Sequence, residues 1–142
     1  MKLFSLAWKS SKRPSKQRKY RHNSPLHLKR GFLAAHLAPN LRTKYSTASI
    51  NVREGDTVKV MRGEFSGLTG KINSVSTKKG LVYVDGAERI RKDGTKSFMP
   101  LRPSNLLVVE ATIDDKRRIA SLTRKSDANR ARTAGKVPGI KG

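Results

Sequence analysis

The sequence predicts a mainly β protein: a small barrel, closed or half-closed, between a basic N-terminal arm containing short helices and a C-terminal helix. Three observations carry this. Five short apolar runs separated by turn chemistry crowd into residues 56–110. Charge is unevenly partitioned: residues 1–50 hold 12 Lys and Arg and no acid, residues 51–110 hold 11 against 7, and residues 111–142 hold 9 against 3. Three glycines, Gly63, Gly67 and Gly70, punctuate the link between the first two apolar runs. The expected organisation is therefore an arm over 1–50, a barrel over 51–110, and a basic helix and tail over 111–142.

The composition narrows the partner. With 32 basic residues against 10 acids, the net charge is +22 over 142 residues. Such an excess opposes a compact state unless a polyanion neutralises it. Nucleic acid is the obvious counter-charge, and an anionic membrane surface is the alternative. The chain has no cysteine, which excludes disulfides, thiolate metal sites and cysteine nucleophiles. No apolar run approaches the ~20 residues a membrane span needs.

In the arm, Met1 to Trp8 is too short and interrupted for a secretion signal, and no small-residue cleavage site follows. The Arg/Lys/Ser-rich, acid-free composition of residues 1–53 also fits a mitochondrial presequence. Residues 9–23 carry seven Lys and Arg (Lys9, Lys12, Arg13, Lys16, Arg18, Lys19 and Arg21) and are expected to be disordered until laid along phosphates. Ser24 and Pro25 read as N-cap and first residue of a helix. Leu26, Phe32, Leu33 and Leu37 continue it at near-helical spacing, and Pro39 stops it near Ala38. A shorter helical piece then carries Leu41, Arg42, Lys44 and Tyr45. His27 and His36 lack carboxylate or cysteine companions and are not read as metal ligands.

The barrel opens with the turn Glu54-Gly55-Asp56. The strand Thr57–Met61 follows, with Val58 and Val60 on one face and Thr57, Lys59 and Met61 on the other. After the glycine loop, Lys71-Ile72 begins the second strand. Leu81–Val84, Glu88–Arg91, Lys96–Leu101 and Leu106–Val109 supply the remaining strand-like runs. Asp93-Gly94 marks a hairpin and Pro103-Ser104-Asn105 a turn. Thr112 to Asn129 is expected to be a helix, with Asp114 and Asp115 at its positive end, a thin apolar face of Ile119 and Leu122, and cations including Arg118 on the rest. An active site built on the Asp114/Asp115 pair is the sharper but disfavoured reading. Thr133 to Gly142 reads as an extended tail.

The glycine spacing, G-x-x-x-G-x-x-G, matches neither nucleotide-binding loop signature, and no helix follows it. It resembles the KOW motif of small RNA-binding barrels through Gly55-Asp56, Val58, Val60, Gly63, Gly67, Gly70, Lys71, Ile72 and Val75. The wider chain resembles the KOW-containing large-subunit ribosomal proteins of the universal protein twenty-four family, in their archaeal and eukaryotic form. Carrying stretches are Ser11-Lys12, Pro14–Tyr20, Ser24–Arg30, Ala38–Tyr45, Val52–Gly63, Val82–Gly86, Lys92–Thr95, Arg102–Leu106 and Asp115–Arg118. The match of the basic arm itself weakens the presequence reading. Residues 1–9 and the tail after Arg132 match no motif. Arg102 stands where relatives usually carry histidine.

The resemblance implies an SH3-like barrel bound to large-subunit ribosomal RNA, near the 5′ part of that RNA and beside the nascent-chain exit, with neighbouring large-subunit proteins as further partners. Bacterial relatives act early in subunit assembly. On charge, loop chemistry and this resemblance, RNA contacts are expected at Lys12, Arg13, Lys16, Arg18, Lys19 and Arg21 in the first basic run. Lys29, Arg30, Arg42 and Lys44 follow on the arm's helices. Arg53, Arg62, Gly63, Gly67, Gly70 and Lys71 serve the barrel, and Ser104 and Asn105 the P-S-N turn. Arg62, Lys71 and the amides around Gly63–Gly70 would hold phosphate, while Tyr20, His22 and Tyr45 either stack on bases or pack into the fold. No cofactor, metal, membrane or small-molecule substrate is expected. A transcription elongation factor would bring a further partner-binding domain, and an enzyme would need an acid–base cluster that three histidines and no cysteine do not assemble.

Overall fold

The structure is a computed structural model that describes Phe4 and residues 11–134. The readings of Met1–Trp8 (Phe4 aside), of Lys9 and of the tail beyond Ala134 lie outside the described residues. In chain order the elements are α1 (Pro14–Asn23), α2 (Leu26–Gly31), β1 (Ala34–Leu37), α3 (Pro39–Tyr45), β2 (Ser49–Asn51), β3 (Thr57–Val60), β4 (Thr69–Ser76), β5 (Leu81–Val84), β6 (Glu88–Ile90) and β7 (Lys96–Phe98). A 3-10 turn (Pro103–Asn105), β8 (Leu106–Glu110) and α4 (Lys116–Ala134) complete the set.

Six strands form one sheet in the order β2-β1-β8-β3-β4-β5, and β6-β7 make a separate hairpin. The sheet is antiparallel except where β1 lies parallel to β8. The order starts on β2 and ends on β5, so hydrogen bonding does not close it into a ring. Leu101 adds a bridge to Val82 with two 2.8 Å backbone bonds, which partly covers the β5 edge. The architecture is a mixed α/β arrangement around a six-stranded sheet rather than a closed barrel.

The facing expected of Thr57–Met61 is found, and alternate residues of the later strands are buried as well. Val58, Val60, Val82, Val84 and Val108 are fully buried, while Lys59 and Met61 face out. Each buried aliphatic side chain contributes about 1.5–3 kcal/mol. The Asp-Gly hairpin forms as expected, closed by Arg91 N–H donating to Thr95 O at 2.9 Å.

Before residue 50 the chain departs from its helical reading. The helix expected from Ser24 to Ala38 ends at Gly31, and residues 34–37 become β1. Leu33, Ala35 and Leu37 alternate inward, and their backbone pairs with β2 and β8. Those long-range partners override a leucine spacing that fits both periods. Ser24 does not cap α2. Its hydroxyl donates to Tyr20 O and closes α1, leaving Pro25 as the N-cap of α2. The run expected to be disordered is helical from Pro14 to Asn23, yet α1 buries none of its residues. Pro39 starts α3 as read.

The C-terminal helix begins at Lys116, four residues later than expected. Asp115 is its cap, with Oδ1 accepting Arg117 N–H at 2.8 Å. That bond, then the Arg53 guanidinium 2.7 Å away, holds the Asp115 carboxyl below its ordinary value. Leu122 is buried and Ile119 half-exposed. Arg118, read as part of the solvent-facing cationic face, instead turns inward onto Asp56.

Candidate nucleic-acid interface

Asp56 and Arg118 form the fixed centre against which the exposed cations can be measured. Asp56 is fully buried and Arg118 is 5% exposed. The guanidinium meets the carboxylate in a two-pronged pair, Nη1 to Oδ1 at 2.8 Å and Nη2 to Oδ2 at 2.7 Å. Asp56 also accepts the N–H groups of Arg53 at 2.9 Å and Thr112 at 3.1 Å. Arg118 donates further to Thr112 O at 2.6 Å and Asn51 O at 3.4 Å, so β2, the turn before β3 and the start of α4 are tied at one point. No signal in the sequence separates Arg118 from Arg117. Only the contact with Asp56, 62 residues away, does so.

The expected contact residues lie on the surface. Lys12, Arg13, Lys16, Arg18, Lys19 and Arg21 are all exposed along and just before α1, and none pairs with an acid among the described residues. On α3, Arg42 and Lys44 are exposed, and Lys44 Nζ sits 5.4 Å from the centre of the Tyr45 ring. Tyr45 packs against the core. Tyr20 is half-buried between Phe4 and Phe32, and His22 is exposed beside Asn23. Arg53 and Arg30 line a common groove near α4, where Arg53 is held by Asp115.

The glycine loop divides its labour. Gly63 and Gly67 take φ of 102° and 93° in open space, where a side chain is disfavoured by backbone conformation alone. Gly70 has ordinary φ, but a Cβ there would collide with the Asp85 carbonyl oxygen and press on Val84. The amides of Ser66, Gly67 and Leu68 donate to Gly63 O, Val60 O and Phe65 O, so these three are committed inside the loop. Arg62 and Lys71 do not flank it as a pair. Lys71 stands opposite Thr57, at the far end of β3 from Arg62. A strand rise of ~3.3 Å per residue puts on the order of 15 Å of backbone between them. Asn105 is brought to the loop instead: its carbonyl accepts Met61 N–H at 2.8 Å, which sets the P-S-N turn beside Arg62.

A second grouping was not legible in the sequence. Arg21 and Lys29 converge with Lys78, Lys79 and Arg102 around a cleft of about 480 Å³, with Ser104 at its wall and no acid in its lining. Lys78 and Lys79 lie on the turn between β4 and β5, and Arg102 precedes the 3-10 turn. Only tertiary folding unites them with the arm. Among the described residues, no group of three His, Cys, Asp or Glu side chains could hold a metal ion. No helix among them is long and apolar enough to cross a membrane.

Among the described residues, a strand–glycine loop–strand unit lies within a strongly basic surface, and no group of three His, Cys, Asp or Glu side chains is assembled. Comparison with known proteins gives the family: over residues 11–125 the chain belongs to the ribosomal proteins that comprise eukaryotic L26 and its archaeal counterpart. It is 42% identical over 115 residues to the large ribosomal subunit protein uL24 of Methanosphaera stadtmanae, covering 81% of this chain and 98% of that protein. It is 44% identical over 112 residues to uL24 of Methanosarcina barkeri, covering 79% and 97%. Over 108 residues it is 44% identical to uL24 of Methanothrix thermoacetophila, covering 76% and 93%. Members of this family are structural ribosomal proteins, not enzymes.

Proposed function

We propose that the chain is a constituent of the large ribosomal subunit in the cytoplasm, binding large-subunit ribosomal RNA and supporting subunit assembly near the nascent-chain exit. The observation that carries this reading is the unneutralised charge of the arm: exposed Lys and Arg from Lys12 to Arg21 with no acidic partner among the described residues. Phosphates are the partner that such a surface fits. The division of work follows the three stretches of the chain. Residues 1–50 supply the arm, with β1 and β2 anchoring it to the sheet. Residues 51–110 form a KOW unit of the SH3-like kind, and residues 111–142 add a second basic limb.

Within this division, Lys12 through Arg21, Lys29, Arg30, Arg42 and Lys44 track the RNA backbone. Arg53, Arg62, Lys71 and the loop at Gly63, Gly67 and Gly70 position the sheet, together with Ser104 and Asn105. Neighbouring large-subunit proteins complete the set of partners, and neither a membrane nor a small-molecule substrate is among them. Sucrose-gradient sedimentation of a host lysate tests the assignment, with the chain followed by antibody. The chain should travel with the large subunit and stay there when subunits are separated. A chain confined to the top of the gradient contradicts it.

A further inference from the structure

The cleft between α1–α2 and the β4–β5 turn has a feature that plain phosphate binding does not require. Phe32 lies in its lining and is 43% exposed, although its neighbour Leu33 is 3% exposed and belongs to the core. The chain therefore keeps an aromatic ring outside the core, in a cleft whose lining carries cations. Arg21 places its guanidinium carbon 5.8 Å from the centre of the Phe32 ring, and Tyr20 meets that ring edge-on at 6.4 Å. Across the cleft, Thr77–Gly80 turns β4 into β5, closed by Gly80 N–H donating to Ser76 O at 2.8 Å, and presents Lys78 and Lys79 exposed. Arg102 is exposed at the third side.

We propose that this cleft seats an unpaired nucleotide of RNA, its base stacked on Phe32 beside the Arg21 guanidinium and its flanking phosphates held by Lys29, Lys78, Lys79 and Arg102. The proposal rests on the RNA-binding reading above and narrows it from a phosphate track to a seat for an unstacked base. Three arguments favour it over a phosphate-only groove or an acidic protein segment. An aromatic face and a guanidinium plane together form the surface on which proteins stack splayed-out bases. A volume of about 480 Å³ lies in the range of pockets that hold small-molecule-sized ligands, which suits a nucleotide and not a duplex. An acidic peptide would satisfy the cations but leave the exposed ring facing carboxylates.

The test uses the full chain and a short single-stranded oligoribonucleotide carrying one 2-aminopurine, whose fluorescence is quenched when the base stacks. A blunt RNA duplex of equal phosphate number and a poly-glutamate peptide serve as comparison probes. Phe32→Leu keeps an apolar contact for α1 but removes the π face, and Phe32→Trp restores one. Wild type and Phe32→Trp should quench the probe. Phe32→Leu should lose the quenching and bind the single strand about fivefold to a hundredfold more weakly, the range for losing one base stack. Its duplex affinity should stay within about twofold of wild type. Lys78→Gln with Lys79→Gln should lower the single-strand salt slope by about 1.4.

Equal single-strand affinity and quenching in wild type and Phe32→Leu, with normal salt-dependent RNA binding, would overturn the base seat while leaving the RNA-binding reading intact. Equal Phe32 dependence for poly-glutamate would overturn it in favour of a general acidic-ligand site. Failure of the wild type to bind any RNA would defeat both readings together.

Discussion

Arg118 and the arginines of α1 are the same residue in two opposite electrostatic settings. Arg118 is almost fully buried, and its guanidinium is matched by Asp56 and two carbonyls. Arg18 and Arg21 stand exposed on a helix with no acid in its first turn, no side-chain cap and no buried residue. Lys16 and Lys19 are three residues apart, as are Arg18 and Arg21, so like charges share helix faces and oppose the helix by about 0.2–0.5 kcal/mol per pair. A helix of ten residues is marginal in water even without that repulsion. The comparison separates charge that holds the protein together from charge left for something else. An external polyanion would relieve the repulsion that α1 cannot relieve itself.

Breaking the internal partner sharpens the contrast most. Removing one member of a buried ion pair strands the other without water or counter-charge, at about 3–5 kcal/mol. Arg118→Met should therefore lower the stability measured by urea unfolding by an amount in that range, and Asp56→Ala should do the same. Both proteins, where still folded, should keep the salt slope of RNA binding. A fall in slope with unchanged stability would place Arg118 among the phosphate-binding cations and erase the distinction.

The two kinds of loop glycine give the next largest effects. Gly70→Ala drives a methyl into the Asp85 carbonyl across the sheet, and overpacking of that sort costs about 1–3 kcal/mol. Gly67→Ala meets nothing within 4 Å and should cost only the positive-φ penalty, about 1–2 kcal/mol. Thermal unfolding ranks the pair. RNA affinity adds a second readout, because a methyl at Gly67 should weaken binding only if phosphate approaches that backbone. Arg62→Ala should lower the salt slope by about 1 without changing the melting temperature.

The smallest effect is a pH dependence at the head of α4. The Asp115 carboxyl is held below its ordinary value by the Arg117 N–H and the Arg53 guanidinium. Its folded-state pKa thus lies below its unfolded value. The ionised cap contributes stability that is fully present above the unfolded value, about 4, and that is lost as pH falls through the lower folded one. Asp115→Asn keeps a capping oxygen but removes the titration, and it should flatten the acid limb of stability measured by urea melts as pH falls below the ordinary carboxylate range. An acid limb as steep as that of wild type would assign the effect elsewhere.

The same division explains which parts of the molecule were legible in the sequence. Strands β3, β5 and β8 were readable because Val58 and Val60, Val82 and Val84, and Leu106 and Val108 alternate between turn dipeptides, so local pattern and burial agree. The segment Leu26–Leu37 was misread because its leucines fit helical spacing, and the parallel pairing of β1 sets His36 beside Leu107, far along the chain. Ser24-Pro25 carries a helix-start signature, yet the serine closes the preceding helix. The exposed arm cations were legible from composition alone. Arg118 was not, since its fate depends on Asp56, and neither was the cleft, whose cations come from separate elements across the fold.

The central claim is that the cations of α1 and the residues before it bind phosphate and do not support the fold. A full-length variant with Lys12, Lys16, Arg18 and Lys19 all changed to Gln tests it directly, through RNA affinity measured across a series of salt concentrations. With about 0.7 in slope per phosphate contact on single-stranded RNA, the log–log slope should become shallower by about 3, at an unchanged urea midpoint. A wild-type slope in that variant, or a slope change matched by a loss of stability, would contradict the account.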